Sequence, residues 1–265
     1  MPRTPEGPPP EPAVQKLRLR YTKRGRLRFS SHRDFQRAFE RALRRAGVPM
    51  AYSAGFTPHP KVSYAGAAPT GTASEAEYLE LSVTQRVDPE RLRAALDAAL
   101  PPGMDVVECV EAGPGSLADR LVASEWEVRL PGVDDATAAA AVARFLAAGE
   151  VAVERLTKNG VRTLDARAEV LALELAAERS DTPGAGAAPA GGASPCAILH
   201  LVVRHATPAV RPDDVLTGLR QVADLAPPVP PQVTRLAQGP LADDGGSVTD
   251  PLEADRLQTQ GAVGA

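Results

Sequence analysis

Residues 16–61 read KLRLRYTKRGRLRFSSHRDFQRAFERALRRAGVPMAYSAGFTPHPK and carry 13 Lys/Arg against 2 Asp/Glu. The local balance is +11 in a chain whose formal total is −3, which leaves −14 for the remaining residues. An asymmetry of this size points to a polyanionic partner more readily than to a small neutral substrate. The order of residue types also sets the fold. Leu17, Leu19 and Tyr21 alternate with Lys16, Arg18 and Arg20, the period of a strand with one apolar and one cationic face. Lys23, Arg24 and Gly25 turn the chain, and Leu27 and Phe29 then resume the apolar side with Arg26 and Arg28 opposite. The pattern predicts a hairpin, or one strand with a bulge, carrying a row of guanidinium groups. Like charges side by side need solvent or an anion to screen them. The row therefore reads equally as a solvated sheet edge protected by charge or as a binding surface.

Ser31 is placed to cap a helix, with Asp34 in the capping-box position and Gly47 as the stop. Phe35, Ala38, Phe39, Ala42, Leu43 and Ala46 recur at helical spacing and face a sheet, while Arg37, Arg41, Arg44 and Arg45 lie outside. Residues 48–53 read as a short strand. Prolines 58 and 60 bracket His59 in GFTPHPKVSYA (residues 55–65), holding it in a stiff loop beside Lys61. A histidine so placed either contacts a phosphate or transfers a proton, or it only caps a backbone carbonyl.

Residues 77–83 alternate as a strand. Asp88 and Pro89 open a helix with Leu92, Ala95, Leu96 and Leu100 buried, and residues 104–110 close the sheet. The second half repeats the order, with strand 125–130, an Ala-rich helix 135–148, and an Asn-Gly hairpin around Lys158 and Gly160. Lys158, Arg162, Asp165 and Arg167 put three cations and one carboxylate on this ribbon. Asp165 either holds an arginine for an anion or makes an ordinary surface ion pair. Residues 169–178 read as strand or helix, with strand favoured by the matching apolar run at 197–203, and a helix from Pro212 and a strand at 233–236 complete it.

The expected class is α+β, two ferredoxin-like (β-α-β-β-α-β) domains in tandem, the second with an extra β-hairpin. The expected boundaries are a disordered leader at 1–13, a basic domain at 14–112, a linker at 113–124, and a second domain at 125–241. Within the second domain a low-complexity loop spans 181–195, and an acidic flexible tail follows at 242–265. No stretch approaches the ~20 apolar residues of a membrane span, and the N-terminus lacks a secretory h-region, so a cytoplasmic protein is expected. Cys109 and Cys196 read as small buried side chains in a reducing compartment. Neither a cofactor nor a metal is expected. P-loop, G-x-G-x-x-G, H-E-x-x-H and G-x-S-x-G patterns are missing.

The runs TKRGRLRFSSHRDFQRAFERALRRAG, PMAYSAGFTPHPKVSYA and SEAEYLELSV resemble the radical SAM-linked, or radical SAM-associated, protein family, an uncharacterised family. The resemblance covers residues 14–241. Its most specific piece is the loop at 55–65, supported by the cluster from Lys158 to Arg167, with Ala168 standing where the family commonly has Pro. The resemblance implies a radical SAM enzyme as functional partner. It implies no established activity. The chain is not itself the SAM-cleaving subunit, because an iron–sulfur cluster of that kind needs three closely spaced cysteine thiolates and this sequence has two distant ones.

The leading expectation is a non-catalytic accessory protein that binds a structured RNA, such as tRNA or rRNA, through the basic N-terminal face. The expected contacts are Arg18, Arg20, Arg26, Arg28, Arg33, Arg37, Arg41, His59 and Lys61, with Lys158, Arg162 and Arg167 on the second ribbon. One alternative is a scaffold whose basic face docks on the radical SAM partner. The other is a metal-independent RNA-processing nuclease using His59, His32 and Lys61.

Overall fold

The computed structural model describes residues 10–158, 160–176 and 194–263. These residues form a mixed α+β protein with mostly antiparallel strands and six α-helices. They divide into two compact units: one runs to Arg120 and resumes at Pro251, and the other is Leu121–Asp250.

In the first unit, β1 (Gln15–Lys23) lies between β3 (Ala73–Val83) and β4 (Val106–Glu111), and β2 (Val62–Ala65) pairs with β3. Every pairing is antiparallel. Leu17 sits opposite Leu81 and Leu19 opposite Leu79. These four side chains are fully buried with Phe39 of α1 (His32–Arg45) and Leu96 of α2 (Pro89–Ala99). The caps read from sequence hold. Asp34 donates its N–H to Ser31 Oγ at 3.2 Å, and Arg91 donates to Asp88 Oδ1 at 2.8 Å.

Two local expectations for this unit are corrected. Residues 24–29 do not return as a strand; Gly25–Phe29 is a short 3₁₀ helix, and Phe29 is 61% exposed. Both edges of β1 are already paired, so no edge remains for a hairpin partner. Residues 48–53 contribute only the isolated bridges Met50–Val83 and Tyr52–Pro60, and the second strand is β2, inside the stretch read as a loop.

The second unit orders its main strands β10 (Gln232–Gly239), β5 (Ala123–Pro131), β9 (Cys196–Arg204) and β8 (Val170–Leu175), again antiparallel. The hairpin of β6 (Ala152–Thr157) and β7 (Gly160–Asp165) forms a separate two-stranded sheet. Helices α4 (Asp135–Ala147) and α5 (Pro212–Ala223) cover the core through Ala138, Phe145, Val215 and Leu219. They approach closely at Gly218, where an added Cβ would lie 2.8 Å from Phe145.

The stretch taken as a linker carries α3 (Leu117–Arg120) and the first residues of β5. The expected tail from 242 instead leads into α6 (Glu253–Val263), which belongs to the first unit. Leu252 and Asp255 anchor it, both 0% exposed. Most of the leader and of the low-complexity loop lies outside the described residues. Cys109 is buried as expected, but Cys196 is exposed, because it begins β9 at the end of its pairing with Pro131.

Candidate nucleic-acid interface

The cationic face of β1 is occupied by carboxylates. Lys16 Nζ lies 3.7 Å from Glu80, and Arg20 Nε lies 4.0 Å from Glu108. Arg24 grips Glu75 through Nε and Nη2 and donates to Asp105 at 2.9 Å. Arg18 is 0% exposed. Its Nε donates to Glu80 at 3.1 Å, its Nη1 donates to both Asp255 oxygens at 2.7 and 2.9 Å, and its Nη2 donates to the Gly115 carbonyl. Asp255 also accepts from Arg120 and from the Gly113 N–H at 2.9 Å. Burial pushes this carboxyl up, and the guanidiniums of Arg18 and Arg120 more than offset it, holding Asp255 below the usual carboxylate range. Arg18 is therefore a buried structural cation, withdrawn from any phosphate, and Arg20 is drawn toward Glu108, 4.0 Å away, a carboxylate that Arg256 also holds at 2.6 Å. The carboxylates that do this come from β3, β4 and α6, far along the chain.

Helix α1 is different. Arg33, Arg37, Arg41 and Arg44 are all exposed. Successive residues turn about 100°, so offsets of 0, 4, 8 and 11 fall within one arc of about 80° over roughly 17 Å of axis. Among the described residues, none of the four makes an ion pair within 4.0 Å. The hydrogen bond from Ser31, and then the charges of Arg37 and Arg33, lower the Asp34 carboxyl. The 3₁₀ helix just before α1 adds exposed Arg26, and Arg28 with its guanidinium 4.8 Å from the Phe29 ring centroid.

The histidine loop packs beside the C-terminal half of α1. Ser53 and His59 close it reciprocally: Ser53 N–H donates to the His59 carbonyl at 2.9 Å, and His59 N–H donates to Ser53 Oγ at 3.0 Å. Gly55, at φ 135°, supplies the backbone turn, and Phe56 next to it is 71% exposed. Lys61 anchors the loop base through its backbone, donating to Ala51 at 2.8 Å, while its side chain is exposed. His59 lines a cleft of about 190 Å³ with Glu40, Arg44, Tyr52, Pro58 and Pro60. His32 does not join it. That ring sits at the first residue of α1, stacks edge-on with Tyr64 at 5.1 Å and lines a different, smaller pocket beside Lys23 and Glu77. Sequence reasoning placed His59 in a loop, as observed, but missed Tyr52 and Glu40. The signal was the i,i+4 pair Glu40 and Arg44, which shares one side of α1.

On the second unit, Lys158 and Arg162 are exposed on the β6–β7 hairpin. Leu156 and Val161 pair across its tip and are 81% and 65% exposed. Arg167 is partly buried and donates to the Val170 carbonyl at 2.9 Å. Among the described residues Asp165 holds no arginine side chain; it accepts the backbone N–H groups of Val151 and Arg167 at 2.9 and 2.8 Å. His200 lies in the middle of β9 with Nε2 2.8 Å from Glu125, and His205 follows the strand's last residue. His205 bonds Ser124 Oγ and the Leu121 carbonyl, and burial lowers its pKa.

Fold and surface together define an α+β protein that presents an exposed cationic helix face beside a small cleft lined by Tyr52 and His59. Among the described residues no helix is long and apolar enough to cross a membrane, and no group of three or more His, Cys, Asp or Glu is arranged to hold a metal ion. The chain belongs to the family described as "Uncharacterized protein conserved in bacteria (DUF2344)", whose model matches residues 16–212. Comparison with curated proteins gives no match.

Proposed function

We propose that this chain binds a structured RNA through the outer face of α1, as a non-catalytic accessory of a radical SAM enzyme. The observation that carries the reading is the stripe of Arg33, Arg37, Arg41 and Arg44, exposed and without carboxylate partners among the described residues. Four unpaired cations on one helix face release counterions when they meet phosphates, and that release drives association. Of the basic face expected from sequence, strand and helix together, the helix side carries this interface, because Arg18 is buried on Asp255 and Arg20 lies 4.0 Å from Glu108. The strand orders β4-β1-β3-β2 and β10-β5-β9-β8 support reading each unit as ferredoxin-like, the second with the β6–β7 hairpin inserted. The radical SAM partner rests on the family resemblance and on the lack of a three-cysteine motif in this chain.

A nuclease would need an acid and a base at one phosphorus, whereas His32 and His59 line different cavities. Affinity capture with the purified chain, run with and without ribonuclease treatment, tests the reading. Recovery of RNA at low salt, lost with Arg37→Gln/Arg41→Gln, is expected. Capture of a protein that survives ribonuclease, with no RNA recovered, would favour the scaffold role instead.

A further inference from the structure

We infer that the cleft between α1 and the histidine loop holds one unstacked nucleobase, with preference for bases bearing an exocyclic amino group. The inference rests on the RNA-binding reading above and adds the chemistry of what that site accepts. Size comes first. The open cleft of about 190 Å³ has room for one base, since a cavity of about 150 Å³ already admits a benzene ring.

The walls suit a flat heterocycle. Tyr52, 42% exposed, lines the cleft together with His59, which is held between two prolines, and Leu43, Val48 and Met50 add apolar lining. Aromatic faces of this kind stack bases without regard to sequence. Two polar groups then give direction. Glu40 and Arg44 both line the cleft, one turn apart on α1, and among the described residues they make no ion pair with each other or with another group. A half-buried carboxylate without a partner is an acceptor waiting for donors, and the amino groups of adenine, cytosine and guanine supply them, whereas uracil has none and carries a carbonyl where cytosine has its amino group. Arg44 is also the last member of the arginine stripe, so a strand whose phosphates follow the stripe passes the mouth of the cleft. Single-stranded loops of structured RNAs present splayed bases in this manner.

Binding of eight-nucleotide RNA oligomers of A, C or U, and of an eight-unit abasic ribose-phosphate chain of equal charge, tests the inference. A and C oligomers should bind about 5-fold or more tighter than U, and all three tighter than the abasic chain. Tyr52→Ala should weaken base-bearing oligomers by about 5- to 150-fold and leave the abasic chain unchanged, while Tyr52→Phe retains affinity. Glu40→Gln should remove the preference for A and C over U. If all four probes bind alike and Arg37→Gln/Arg41→Gln still weakens them, the base site is refuted and the phosphate reading stands. If no probe binds at low salt, the RNA reading falls. The cleft is then tested by free adenosine and cytidine, whose binding and loss in Tyr52→Ala would uphold it and whose failure to bind would end it.

Discussion

Replacing Asp255 by Ala removes the carboxylate that receives a fully buried arginine. In the intact protein Asp255 accepts two bonds from Arg18 and two from Arg120, and all of its side chain is out of solvent. After the change Arg18 Nη1 faces no anion, although Nε keeps Glu80 and Nη2 keeps Gly115. Breaking a buried pair by deleting one partner costs about 3–5 kcal/mol, because the remaining charge stays desolvated. For a chain of this size that corresponds to a fall in Tm on the order of 10 °C. Urea unfolding followed by circular dichroism should show the loss. Arg256→Gln is the control on the same helix. It breaks a 2.6 Å pair to Glu108 that is partly exposed, and should cost no more than about 1 kcal/mol. The same carboxylate predicts an acid limb. Its folded pKa lies below the ordinary 3.8, so its contribution is complete above that value and disappears as pH falls through the folded pKa; Asp255→Ala should lack this limb. Stability of Asp255→Ala within about 0.5 kcal/mol of wild type would refute the reasoning.

Thiol chemistry should separate the two cysteines. Burial pushes Cys109 up to about 12, so in the native protein a disulfide reagent at neutral pH should titrate exposed Cys196 and leave Cys109 until denaturant is added. Gly218→Ala should destabilise by about 1 kcal/mol, since its Cβ would press on Phe145 and Val151; a gain in Tm would contradict the close α4–α5 contact. Ser31→Ala should cost about 1 kcal/mol by removing the α1 cap and should leave cleft ligands unaffected, as checked by thermal melts beside oligomer binding.

The parts legible in the sequence are those decided locally. The alternation of Leu17, Leu19 and Tyr21 and the caps at Ser31 and Asp88 each depend on neighbours within a few residues. Arg18 was illegible because its decisive partner is 237 residues away, and a buried paired arginine looks in sequence like an exposed one. The fate of Phe29 turned on strand pairing that its own segment does not encode, since β3 and β4 had already taken both edges of β1. Helix α6 has too little apolar surface to announce itself and is held by Leu252 and the Asp255 network. The cleft joins α1 to a loop a dozen or more residues later, so His59 was visible as a stiff-loop histidine while its neighbours Glu40 and Tyr52 were not.

The cationic face of α1 is tested most directly by the salt dependence of RNA binding. If four arginines meet phosphates, log Kobs should fall with log salt at a slope of about −2.8 to −3.6, a loss of roughly 50- to 150-fold between 50 and 200 mM. Arg37→Gln/Arg41→Gln should reduce the slope by about 1.4 to 1.8. A slope unchanged in the double variant, or the absence of any binding at 50 mM salt, would contradict the assignment of this helix as the interface.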